Sequence, residues 1–275
     1  MGFEVAVVKK RILITGASSG IGEEYAKQYA SKNCDLILVA RREDRLIKLK
    51  NTLQKNGVSV QVIAGDLAKL GEVKRIFFEA ELLGPIHGVI NNAGVGHYGP
   101  FFEYTAHEQL QMIDLNVRAL VELSHYAVKH MKAHGQDSFI INVSSIAAFQ
   151  AVANFAVYSA SKSFVRAFSE TLYLELKESN IMVSCVSPGG TYTEFLEHAG
   201  QELTPSAEKM MMSSSDVVSL SIVGLEQKKA QVIPGKMNKM VAFLPRLLPY
   251  QSALSIFSMV MENSVKRKKR KTNSS

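Results

Sequence analysis

Short apolar runs alternate with longer amphipathic stretches through the first 235 residues of the chain. Residues 11–15, 35–40, 58–64, 86–90, 138–143 and 182–186 are rich in Ile, Leu and Val, the signature of strands buried on both faces. Residues 231–233 add a short seventh run. Between them, 22–30, 44–54, 73–82, 112–131 and 155–176 place apolar side chains at helical spacing. This rhythm predicts an α/β fold: a parallel sheet covered by helices on both faces and joined by right-handed crossovers. Ligands of such sheets bind beyond the carboxyl ends of the strands, near the point where strand order reverses. No change of composition divides the chain. One catalytic domain over residues 1–261 is expected, followed by a disordered basic tail at 262–275.

Composition changes little in this picture. At 275 residues with 47% apolar and 21% charged side chains, the chain can bury a large core, and disorder is excluded for its body. Two cysteines, Cys34 and Cys185, cannot build a disulfide framework or a four-ligand zinc site, which fits a reducing, cytoplasmic setting. Residues 3–8 are too short an apolar run for a secretory signal, and Ala6 disfavours myristoylation. The net charge of +7 points toward nucleic acid or an anionic membrane. Its position removes the first of these: residues 266–271 are all Lys or Arg, and without them 26 basic residues face 25 acidic ones. No nucleic-acid partner is expected. The tail remains either a solvated solubility device or a peripheral contact with a membrane surface. Residues 240–261 are apolar but hold Arg246, Pro245, Pro249 and Gln251, and make a poor spanning helix.

The candidate chemistry gathers at the predicted strand ends. The first strand runs into Thr15-Gly16-Ala17-Ser18-Ser19-Gly20-Ile21-Gly22 and then a helix. Glycines there let backbone approach a pyrophosphate, and the helix start supplies free N–H groups. After the second strand, Ala40 leaves out the acid that would favour NAD, and Arg41 offers a fork for the 2′-phosphate of NADP. Asp66, with Leu67, follows the third strand and suits either an adenine amino group or a helix cap. Asn91-Asn92-Ala93-Gly94 ends the fourth, with small residues that leave room for a ribose or a flat ring. Tyr158 and Lys162 stand four apart and so share one helix face. An ammonium beside a phenol stabilises phenolate, and a tyrosine so tuned can exchange a proton with a carbonyl oxygen. Ser145 ends the preceding strand, thirteen residues before Tyr158.

Taken together and in this order, the glycine-rich turn, Asn91–Gly94, the Ser145 spacing, Tyr158-Ser159-Ala160-Ser161-Lys162 and Pro188-Gly189 resemble the short-chain dehydrogenase/reductase family. The resemblance spans roughly residues 10–235. It implies a Rossmann-type, doubly wound seven-stranded sheet, a nicotinamide cofactor, here NADP(H), and a catalytic tetrad of Asn116, Ser145, Tyr158 and Lys162. In that likeness Tyr158 is the acid/base, Ser145 holds the substrate oxygen, Lys162 also grips the nicotinamide ribose, and Asn116 bends a helix and holds a water. The cofactor contacts implied are Gly16, Ser18, Ser19, Gly20, Ile21, Gly22, Arg41, Asp66, Leu67, Asn92, Ala93, Gly94, Tyr158, Lys162, Pro188, Gly189, Thr191 and Thr193. Thr193 equally suits a helix N-cap.

The same likeness places a mobile lid at about 194–215, with Phe195 and Met210 as apolar substrate contacts and Phe149 on the opposing wall. The expected reaction is NADPH-dependent reduction of a hydrophobic ketone, aldehyde or ketoacyl substrate, with steroid, fatty-acyl and xenobiotic carbonyls all open. A non-catalytic NADP(H)-binding regulator is the alternative, and the filled tetrad favours the enzyme. A homodimer or homotetramer follows from family habit. Pro234-Gly235 and the prolines of a C-terminal extension, 236–261, are similar to the hydroxysteroid and 3-ketoacyl reductase subgroup. His130 and His134 share a helix face but lack a third ligand, so no metal is expected.

Overall fold

Sequence alternation becomes a layered structure in the computed structural model, which describes residues 9–267. Strands β1 (Arg11–Thr15), β2 (Asp35–Ala40), β3 (Val60–Ala64), β4 (Gly88–Asn91), β5 (Ser138–Val143) and β6 (Ile181–Val186) fall on the predicted runs to within two residues at each end. Strand β7 (Gln201–Leu203) is a new element, and β8 (Gln231–Val232) is the short seventh run. The main sheet is parallel throughout, in the order β3-β2-β1-β4-β5-β6-β8. Strand order therefore reverses between β1 and β4, and that crevice is where ligands of such sheets sit.

The two faces are covered by different helices. Helices α1 (Gly20–Ser31) and α2 (Glu43–Leu53) pack Tyr25, Tyr29, Leu46 and Leu49 against Ile12, Ile14, Leu36 and Leu38. On the other face α3 (Glu72–Glu81) brings Ile76 and Phe77 onto Leu13, Ile37 and Val39. Ile12 and Leu13 point to opposite faces because successive strand residues alternate. Each such residue, fully buried, contributes about 1.5–3 kcal/mol.

The predicted helix 112–131 is divided. Helix α4 (Ala106–Ile113) opens on a capping box from Thr105 and Glu108. A π-helical turn, Asp114–Arg118, leads into α5 (Ala119–His134). The turn positions Asn116, whose Oδ1 accepts the Val95 amide at 3.0 Å while its Nδ2 donates to the Val95 carbonyl at 2.9 Å. A single-turn widening of this kind re-aims one side chain without ending the helix. Helix α6 (Ala156–Glu175) carries the Tyr158 face. A buried polar chain locks it to the sheet: Asn91 Nδ2 donates to Asn142 Oδ1 (2.7 Å), and Asn142 Nδ2 donates to Ser169 Oγ (2.9 Å).

Beyond β6 lie α7 (Phe195–His198), β7, α8 (Pro205–Glu208), α9 (Ser214–Glu226), β8, α10 (Lys236–Phe243) and α11 (Tyr250–Ser264). The final strand, β9 (Val265–Arg267), pairs antiparallel with β7. The expected disordered tail from 262 is thus displaced at its start: residues up to Ser264 complete α11, and β9 follows directly because β7 offers it backbone partners. Residues 268–275, holding most of the basic run, and the amino-terminal run 3–8 lie outside the described residues. Among the described residues no helix is long and apolar enough to cross a membrane.

Candidate active site

At the sheet reversal, β1 turns into α1 through two glycines with positive φ, Gly16 (66°) and Gly20 (58°), a backbone region that side chains disfavour. Gly22 is needed for space instead: a Cβ there would run into the Gly16 carbonyl and the Asn92 amide. Ser19 stands at the N-cap without a side-chain cap bond. The first amides of α1 therefore face outward from the turn, as an anionic pyrophosphate requires.

Strand β4 is fastened beside this turn. Thr15 Oγ1 donates to the Ile90 carbonyl and accepts the amides of Asn92 and Ala93 at 3.0 Å each. Asn92 Nδ2 donates to the Thr15 carbonyl at 2.9 Å. Gly94 follows, and a Cβ on it would lie 3.2 Å from Asn116 Oδ1 and 3.3 Å from Lys162 Nζ. The absent side chain leaves a cradle between turn, asparagine and lysine that fits a ribose. Asp66 accepts the Ala68 amide at 3.1 Å, so its carboxylate shapes its own turn, and Leu67 is buried beside it.

The three chemical groups meet at the ends of β5 and α6. Ser145 caps a short 3-10 turn, Ile146–Phe149, accepting the Ala147 amide at 3.1 Å. Its hydroxyl also hydrogen-bonds Tyr158. Lys162 Nζ donates to the Val143 carbonyl at 2.9 Å and lies 5.9 Å from the Tyr158 ring centre. Asn116 joins them through Ser161, to whose Oγ its Nδ2 donates at 3.1 Å. All four tetrad positions expected from the sequence are brought together.

Burial dominates the electrostatics of the pair. Burial pushes the Tyr158 phenol up to about 12, only partly opposed by the Ser145 hydrogen bond. Burial likewise drives the Lys162 ammonium down to about 8. Desolvation dominates at both groups, and the lysine points its hydrogen bond at the Val143 carbonyl. The phenol is held as an acid.

After β6, Pro188 accepts the Ile146 amide at 2.9 Å, joining this segment to the serine turn. Thr191 Oγ1 donates to the Gly189 carbonyl. Thr193 stands against the glycine-rich turn: a Cβ on Gly20 would meet its methyl group at 2.8 Å. Its hydroxyl accepts the Phe195 amide at 3.3 Å, while Glu194 is the N-cap residue of α7 and no side-chain cap bond is formed there.

The arginines divide differently from the expectation. Arg41 is exposed at the end of β2. Its neighbour Arg42 takes the place at the turn, donating to Ser18 Oγ (3.0 Å) and Ser19 Oγ (2.8 Å). Glu194 bridges Arg42 (2.7 Å) and Arg45 (2.5 Å). These hydrogen bonds, Arg42 first, draw its carboxyl down to about 2. Arg42 and Arg45 were not singled out in the sequence; Arg42 is the N-cap residue of α2 and Arg45 lies in its first turn, and position at the helix start was the signal.

Over the phenol lies an aromatic cap. Phe155 and Phe195 have ring centres 4.8 and 5.4 Å from that of Tyr158, and Tyr98 packs on Phe155 at 5.1 Å. Phe195 is where the lid reading put it. Met210 is not: it is exposed, while Met211 and Met212 lie against Gly190 and Gly235. Phe149 also points elsewhere. It is held under Arg166 (4.7 Å) and lines a separate cavity of about 610 Å³ between α6 and α11. His130 is tied to Glu81 and to the Ile86 amide, and His134 to the Ile86 carbonyl. Among the described residues no group of three or more His, Cys, Asp or Glu is placed to hold a metal.

Comparison with known proteins agrees with this geometry. The family model described as short chain dehydrogenase matches residues 10–204. The chain is 32% identical over 247 residues to 11-beta-hydroxysteroid dehydrogenase-like 2 of Arabidopsis thaliana, spanning 88% of this chain and 79% of that protein. Among solved structures, a short-chain dehydrogenase from Sphingobium yanoikuyae in complex with NADPH superposes with a TM-score of 0.78 at 29% identity, covering 97% of this chain and 98% of that one. The bulky-bulky ketone specific alcohol dehydrogenase from Comamonas testosteroni gives 0.74 at 26% identity, with 97% of both chains covered. A matched family model over most of the sequence, a relative above 30% identity and the tetrad positions in one crevice lead to one assignment: the chain belongs to the short-chain dehydrogenase family of oxidoreductases.

Proposed function

We propose that the chain is an NADP(H)-dependent carbonyl reductase acting on a hydrophobic ketone, aldehyde or ketoacyl substrate. The observation that carries this is Tyr158: a neutral phenol, hydrogen-bonded to Ser145 beneath an apolar cap and one helical turn from Lys162. The glycine-rich turn and the Gly94 cradle fit a dinucleotide, and when bound its nicotinamide supplies the hydride. Ser145 and Tyr158 donate hydrogen bonds to the carbonyl oxygen. As negative charge grows there, the Tyr158 proton moves to that oxygen, and an acid kept protonated at neutral pH suits this direction. Lys162 stabilises the phenolate left behind, while Phe155 and Phe195 exclude water and strengthen each of these interactions. Absence of an acid at Ala40, with Arg41, Arg42 and Arg45 nearby, supports NADP over NAD.

NADPH oxidation across ketosteroids, bulky aryl ketones, 3-ketoacyl thioesters and aldehydes tests the reading. Turnover of at least one class, reduced about 10²–10⁴-fold in Tyr158→Phe, is expected. Tight NADPH binding with no turnover of any class makes the chain a non-catalytic NADP(H)-binding protein.

A second reading concerns location. Met237, Met240, Phe243, Leu247, Met259 and Val260 are exposed on the α10–α11 region, and residues 236–261 hold no acid. Such a surface beside a basic tail suits an anionic membrane. Pelleting with phosphatidylserine vesicles but not with neutral ones supports it, and equal pelleting with both removes it. The homo-oligomeric state expected of the family is read by sedimentation in the same preparations.

A further inference from the structure

The C-terminal strand contributes to the apolar cluster that contains Tyr158. β9 pairs with β7 in the register Leu203↔Val265, Glu202↔Lys266 and Gln201↔Arg267. Thr204 extends the pairing, its amide donating to the Ser264 carbonyl at 3.0 Å. Strand alternation then sorts the side chains: Glu202 and Lys266 are exposed, while Gln201 and Val265 turn inward. Val265 is 6% exposed and belongs to the same apolar cluster as Tyr98, Val152, Phe155 and Tyr158. Leu203 and Phe195 pack against that cluster from the lid.

A compact aliphatic side chain from the far end of the chain therefore completes the apolar cluster that holds Tyr158, Phe155 and Tyr98. Core packing alone does not call for it there, since both main core clusters are complete without any residue beyond Val232. The space bounded by this small cluster is the space a carbonyl substituent must enter to bring its oxygen to Tyr158. We propose that Val265, backed by Leu203, is a specificity-determining wall of the substrate chamber and limits the size of the apolar substituent on the carbonyl carbon. The lid is thus a two-stranded element made from both ends of the post-β6 chain. The proposal rests on the reading of Tyr158 as proton donor to a carbonyl.

Two variants and one truncation test it. The ratio of kcat/KM for a bulky aryl alkyl ketone to that for a small methyl ketone is measured with NADPH. Removing two methyl groups in Val265→Ala should raise that ratio about tenfold, and Val265→Phe should lower it about tenfold, the size expected for one or two carbons of pocket volume. NADPH affinity, set at the opposite end of the crevice, should stay unchanged in both. A purely structural valine would move both ketones together and leave the ratio constant, and that result overturns the proposal.

A chain ending at Ser264 supplies a readout that needs no turnover. Amide hydrogen exchange at 201–203 and 152–158 should quicken at least tenfold, with β1, β4 and β5 unchanged. Unaltered protection at 152–158 shows that β9 does not cover the phenol and also overturns the proposal. Failure of the reductase reading itself appears separately, as absence of turnover of both ketones by the full chain with NADPH bound.

Discussion

Lys162 sits where its charge costs stability, and the cost has a measurable pH signature. The ammonium is buried, with relative exposure of 5%, and burial lowers it from 10.5 to about 8. A lowered basic group means that the folded chain binds its proton less well than the unfolded chain does. Below pH 8 both states carry the proton, and the folded state bears the full penalty. At about 1.4 kcal/mol per unit, that is about 3 kcal/mol. Between pH 8 and 10.5 the folded lysine is neutral while the unfolded one is still charged, so stability rises with pH across that window. Lys162→Met keeps the unbranched stem and removes the charge. It also loses the hydrogen bond to the Val143 carbonyl, worth about 1 kcal/mol. The variant should therefore be about 2 kcal/mol more stable than the wild type at pH 7, with the gap shrinking as pH rises and changing sign by pH 10.5, where the lost hydrogen bond outweighs what remains of the charge penalty. Comparing the two proteins at each pH cancels the opposite contribution of Tyr158, whose raised phenol pKa lowers stability only above pH 10 in both. Urea unfolding of cofactor-free protein at pH 7 and at pH 9.5 reads the difference directly. A variant less stable at pH 7, or a gap independent of pH, refutes the argument. Reductase activity should fall by orders of magnitude in the same variant, which makes the lysine a functional group retained against stability.

Other consequences follow from particular contacts. Glu194→Gln frees Arg42 and Arg45 from the carboxylate that bridges them, so titration by NADPH fluorescence should show tighter NADPH binding, NADH unchanged, and a difference that shrinks in high salt. Because Glu194 stays ionised down to about pH 2, the effect should be constant across neutral pH. Gly22→Ala forces a methyl group into the Gly16 carbonyl and the Asn92 amide, and should abolish NADPH binding while circular dichroism still reports a folded α/β chain. Asn142→Ala removes one hydrogen bond each from Asn91, which keeps Ser124, and from Ser169, which keeps the Val165 carbonyl, and should lower unfolding free energy by about 1–3 kcal/mol in urea.

The division between what was legible and what was not follows the range of the interactions. Strands β1, β2 and β5 have the limits read from the sequence, because a strand buried on both faces is a continuous apolar run and needs no partner to be recognised. The resemblance pointed to a bend at Asn116, but helical periodicity alone does not show it: Asn116 departs from α-helical geometry to serve Val95, and that partner is twenty-one residues away. Arg42 is the side chain that turns back over Ser18 and Ser19, a direction that sequence distance from β2 does not reveal. Phe149 and Met210 are apolar residues in the right segments, yet one lines a separate cavity and the other faces outward. Residue type was informative; direction was not.

The sequence by itself determined the fold class and the order of its strands' chemistry: glycines after β1, small residues after β4, serine after β5, tyrosine and lysine one turn apart in α6. These are local rules of backbone freedom and helical phase, and they survive without knowledge of neighbours. Only the tertiary structure decided the electrostatics of the site and its walls. The Tyr158 phenol is raised because several distant segments bury it, and burial is a property of the assembled fold. Val265 joins the cluster of that phenol because β9 pairs with β7, sixty-odd residues earlier in the chain. Strand pairing at such separation is written in no local pattern, since the backbone groups that form it are common to every residue.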